Sequence, residues 1–97
     1  MNIPTFDELT RKYNITEPNR VQKAIDFATT MTDYDEALTL LIITHDEHTK
    51  AFRNSNLTKL MESPLANYIL KNLQDHPIFV QLHGCPVYIE NIKNMDD

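Results

Sequence analysis

The sequence predicts a mainly α-helical single domain spanning residues 1–97, a small bundle of about four to five helices around a long central helix, closed by a short C-terminal β-hairpin. Three observations predict it. Helix-capping residues recur just ahead of apolar positions spaced three and four apart, the whole chain holds one glycine, and only its last fifth turns to β-branched and aromatic residues. A length of 97 residues suits one hydrophobic core and not two.

The first helix opens at Thr5-Phe6-Asp7-Glu8, a capping box in which the threonine hydroxyl accepts from a first-turn amide and the glutamate reaches back. It should run from about Phe6 to Tyr13 and stop at Asn14, a residue that tolerates the left-handed conformation. Thr16 offers a second cap with Pro18 inside the first turn, and Val21, Ile25, Ala28 and Met31 then form one apolar stripe, which predicts a helix from about Glu17 to Thr32. Phe27 falls outside that stripe.

Asp33 and Glu36 make another box and open the longest helix, expected from about Tyr34 to Arg53 and about 30 Å long. Its middle, Ala37 to Ile43, is apolar nearly all round, so it is either central or an interface. Asn54-Ser55-Asn56 breaks it, Leu57 to Met61 reads as one or two turns, and Ser63-Pro64 starts a helix through Leu65, Tyr68, Ile69 and Leu73. Asp75-His76-Pro77 ends that helix, because the residue before a proline is pushed out of the helical region. Ile78-Phe79-Val80-Gln81-Leu82 and Val87-Tyr88-Ile89, on either side of His83-Gly84-Cys85-Pro86, read as the two arms of the hairpin.

A formal net charge of −5 argues against a protein that wraps nucleic acid or sits on anionic lipid, although Arg11, Lys12, Arg20 and Lys23 lie close together in sequence. The single cysteine, Cys85, excludes an internal disulfide framework. Residues 1–9 lack the basic and apolar regions of a secretory signal, and the longest apolar run is far short of the roughly 20 residues a membrane span needs. A cytoplasmic protein without a membrane anchor is the expectation.

Little in the chain points to catalysis. One glycine nearly excludes phosphate-cradling loops, which need several, and no Gly-x-Ser-x-Gly elbow is present. Cys85 beside His83 makes a dyad only if the two side chains converge. The sharpest chemical motif is His45-Asp46-Glu47-His48, which puts two imidazoles on neighbouring positions of one helix face. A metal site of His45, His48, His83 and Cys85 is the alternative this supports, provided the hairpin folds back on the long helix. Against it, the spacing is not that of zinc proteases and Cys85 has no CxxC partner; a structural role for the histidines at the edge of the apolar stripe explains the same residues. A helix-turn-helix centred on Asn54-Ser55-Asn56, with Asn56, Thr58 and Lys59 reaching into a groove, is a further alternative, weakened by the early Ser63-Pro64 interruption.

By elimination the sequence points to a non-catalytic, cofactor-free protein-binding module. The expected type is a small accessory protein, as phages and mobile elements encode, that binds and inhibits or modulates a host macromolecular complex such as defence or transcription machinery, or that acts as its own oligomer. The all-round apolar helix and the open edges of the hairpin motivate this reading. Exposed aromatic and acidic residues, Asp33, Tyr34, Asp35, Phe79 and Tyr88, are the expected contacts, because aromatic anchors dominate interface energies.

Overall fold

Thr5 caps the first helix as its sequence requires. In the computed structural model, which describes residues 2–82, the Glu8 amide donates to Thr5 Oγ1 at 3.1 Å and the Thr5 amide donates to Glu8 Oε1 at 3.2 Å. The helix so started, α1, spans Phe6–Lys12 and ends where Asn14 takes a positive φ of 57°. Phe6 and Leu9 point inward from it.

Helix α2 is shorter than its stripe implies, Arg20–Ala28 in place of residues 17–32. Asn19 sits in the left-handed region at φ 60°, so the turn containing Glu17 and Pro18 cannot run on into the helix. At the other end the Thr29 and Thr30 hydroxyls donate to the carbonyls of Asp26 and Phe27, at 2.6 and 2.7 Å, which occupies acceptors that a longer helix would need. Phe27, off the stripe, is half-buried and tilts against Tyr13 with ring centroids 5.2 Å apart.

The central helix α3 spans Tyr34–Glu47, its N-terminus held by Asp33, whose carboxylate accepts from the Asp35 and Glu36 amides. Sequence pattern alone continues this helix to Arg53. The chain instead breaks at His48, with φ −134° and ψ 53°, and resumes as α4, Thr49–Arg53. Contacts remote in sequence account for the break. The Phe6 amide donates to Glu47 Oε2 at 2.7 Å and the His48 ring packs edge-on against Phe6, so the end of α3 is turned toward the start of α1. The bend also brings Phe52 within 5.0 Å of the His45 ring, whereas seven residues of unbroken helix would separate the two positions by about 10 Å along the axis.

Three further helices complete the described chain: α5 at Thr58–Glu62, α6 at Pro64–Asn72 and α7 at Pro77–Gln81. The Gln22 side chain positions the link before α5 by accepting from the Asn56 amide at 2.7 Å and donating to the Asn56 carbonyl at 2.9 Å. Pro64 and Pro77 occupy first-turn positions, where a missing amide costs nothing.

The expected first hairpin arm is therefore corrected: residues 78–81 are helical, and no strand occurs among the described residues. Alternation along a strand would send Ile78 and Phe79 to opposite faces, yet both are buried here, on a turn started by Pro77 and capped by His76. Tertiary burial has overridden β-propensity. The rest of the expected hairpin, including His83, Gly84, Cys85 and Tyr88, lies outside the described residues.

The result is an all-α globule with α3 at its centre, touching α1, α2, α4, α6 and α7. Ala37, Leu38, Leu40, Leu41 and Ile42 are completely buried and Ile43 nearly so. Each of the large ones contributes about 1.5–3 kcal/mol by leaving water, and no other described helix buries as many apolar side chains. No helix among the described residues is long and apolar enough to cross a membrane.

Candidate functional site

The start of α3 and the start of α7 meet at one buried imidazole. His76, 5% exposed, lies between α6 and α7. Its Nδ1 accepts from the Ile78 amide at 3.2 Å, which caps α7. An acceptor nitrogen carries no proton, so in the neutral ring the proton sits on Nε2. Nε2–H then faces three acceptors on α3: Asp35 Oδ1 at 3.1 Å, Thr39 Oγ1 at 3.2 Å and the Asp35 carbonyl at 3.4 Å. The Thr39 hydroxyl in turn donates to that same carbonyl at 3.1 Å.

This tautomer decides the chemistry. A threonine, a histidine and an aspartate in contact resemble a nucleophile with its base and orienting acid, but there the acid holds one ring nitrogen and the nucleophile the other. Here Asp35 and Thr39 share Nε2, and Nδ1 is committed to a backbone amide. His76 cannot take the Thr39 proton, and the group works as a clip that fastens α7 to α3.

Around the clip lie several of the residues expected to make contacts. Asp33 is occupied as the α3 cap, Tyr34 packs edge-on against Tyr68 with centroids 5.6 Å apart, and the Asp35 side chain stays largely exposed while it binds His76. Phe79 is a correction: expected on the surface, it is 6% exposed and part of the core, because the helical turn directs it inward. Val80, the next residue, is 58% exposed, the most exposed large hydrophobic side chain among the described residues. Tyr88 lies outside them.

The two histidines of the long-helix motif face separate surroundings. His45 is completely buried against Phe52, and His48, at the helix break itself, is half-buried against Phe6. Burial pushes the His45 imidazole below the ordinary histidine value, opposed by Asp46 and reinforced by Arg53. Among the described residues no three His, Cys, Asp or Glu side chains converge as metal ligands, and His83 and Cys85 lie outside them.

A cleft of about 590 Å³ opens between α1, the start of α2, and α4, floored by Phe6 and His48. Its cation, Arg20, is 5.3 Å from the Phe6 ring centroid and already pairs with Asp7 at 3.0 Å and with Glu17. Its charge is spent within the chain, so the cleft offers no strong anion site. The turn at Asn54-Ser55-Asn56 is bounded by helices of five residues each, and Asn56 itself caps the second through Oδ1, 2.9 Å from the Thr58 amide. A five-residue helix is about 7.5 Å long, shorter than the recognition helices that lie along a major groove.

In the sequence His76 reads as a helix terminator and as one more soft metal donor, not as a partner of α3. Its partner Asp35 is 41 residues away, and no local pattern signals the pair. The available signal was the residue order itself, since a histidine directly before Pro77 stands at an N-cap position.

No family model, curated protein or solved structure matches the chain.

Proposed function

We propose that this is a non-catalytic binding module, a small accessory protein that attaches to a larger macromolecular complex and inhibits or modulates it. The observation that supports this reading is Val80, an apolar side chain 58% exposed on a helix clipped beside the acidic first turn of α3. An isolated exposed valine is ordinary. This one is carried by a helix whose capping residue, His76, binds Asp35 in the acidic first turn of α3, so apolar and acidic groups stand on two joined elements, a mixture of the kind that interfaces use. The all-round apolar stretch of α3 lends the reading nothing, because the chain's own helices cover it.

The test is affinity capture of the tagged protein from a lysate of its native cells, nuclease-treated, with Val80→Asp and Lys50→Glu run alongside. Lys50 is exposed on α4, which is far from α7 in the chain and not among the helices that pack extensively on it. A stoichiometric partner retained by the wild type and Lys50→Glu but lost by Val80→Asp supports the reading. Recovery of the protein alone, or of a partner that Val80→Asp still holds, counts against this face.

A further inference from the structure

The clip between α7 and α3 holds only while one ring nitrogen of His76 is unprotonated, and this gives the fold a conditional joint. The Ile78 amide needs Nδ1 as an acceptor. An imidazole gains its second proton at that nitrogen, which then presents N–H to N–H and ends the cap. The charged group facing the ring from α3 is Asp35; α7 carries no charged side chain, and Asp75 precedes the ring in the link from α6. Asp35 stands opposite Nε2, which carries a proton in either charge state of the ring, so protonation at Nδ1 ends the cap and leaves that contact in place.

We propose that His76 is an acid-sensitive switch that, on protonation, stays bound to Asp35 through Nε2 and releases the first turn of α7. The contact released is one capping hydrogen bond, while Ile78 and Phe79 stay held in the core by apolar packing. Loosening α7 alters how Val80 is presented. That consequence rests on the contact face proposed above, whereas the switch itself is read without any partner.

The experiment follows the Ile78 amide and the His76 ring nitrogens by NMR from about pH 7.5 to 5.0, the span over which histidine switches are set. His76→Asn serves as the control, because asparagine caps a helix well and does not titrate. In the wild type the Ile78 amide should shift with the ring and exchange roughly fivefold faster at the acid end after correction for intrinsic rate, the size a lost N-cap implies. In His76→Asn both changes should vanish. A ring that stays neutral across the range overturns the proposal, as does an Ile78 amide indifferent to ring protonation, an equal change in His76→Asn, or a loss of all helical amides together. Failure of the capture experiment with this switch intact would remove the contact face and leave the switch standing.

Discussion

His45 and His76 are almost equally buried, at 0% and 5% exposure, and they do opposite things. His45 lies in the last turn of α3, edge-on to Phe52, where burial disfavours its charged form. His76 lies at the α3–α7 joint, where one ring nitrogen caps a helix and the other meets a carboxylate. Burial alone therefore does not define what a histidine contributes. The central region is stabilised mainly by area removed from water and holds its histidine neutral, while the joint depends on which ring nitrogen carries the proton.

The strongest way to sharpen this contrast is to hollow the centre. Leu41→Ala, at a completely buried position of α3, should cost about 2–5 kcal/mol in urea unfolding. A cost below about 1 kcal/mol would show that the centre of the bundle is loosely packed.

The next effect needs no substitution. With its folded value below the ordinary 6.5, His45 binds fewer protons in the folded chain than in the unfolded one. Its contribution is complete above 6.5, shrinks as pH falls below that, and levels off under the folded value. The wild-type melting temperature should thus drop more between pH values of about 7.5 and 5 than that of His45→Leu, whose side chain is of similar size and does not titrate. Parallel curves would break the contrast from the core side.

At the joint, His76→Ala removes the α7 cap and the contact with Asp35 together and should cost about 1–2 kcal/mol, less than hollowing the core. Chemical denaturation that ranked it above Leu41→Ala would invert the picture of a firm centre and a modest joint. Asp33→Ala removes only the cap of α3 and should cost about 1 kcal/mol, read as a lower denaturation midpoint with unchanged slope. Smallest of all, Val80→Asp should stay within about 0.5 kcal/mol of the wild type, because its side chain is mostly in water already. A larger loss would mean that Val80 supports the fold instead of facing a partner.

Local chemistry fixed what the amino-acid sequence could determine by itself. The capping box at Thr5 and Glu8, the cap at Asp33, the left-handed Asn14 and the proline-led start of α6 all rest on interactions within a few residues, so the order and start of these helices were legible. The acidic first turn of α3 was equally plain. Tertiary structure decided the rest, through contacts between residues far apart in the chain. The break at His48 needs Phe6, 42 positions earlier by numbering, and the helical state of Ile78 and Phe79 needs a core that receives both side chains. Whether the apolar stripe of α3 faces its own chain or another was undecidable from periodicity, because a helix apolar on every side has the same pattern in either case. Folding resolves it: five helices close over that stripe, and the polar joint at His76 is left at the margin where they end.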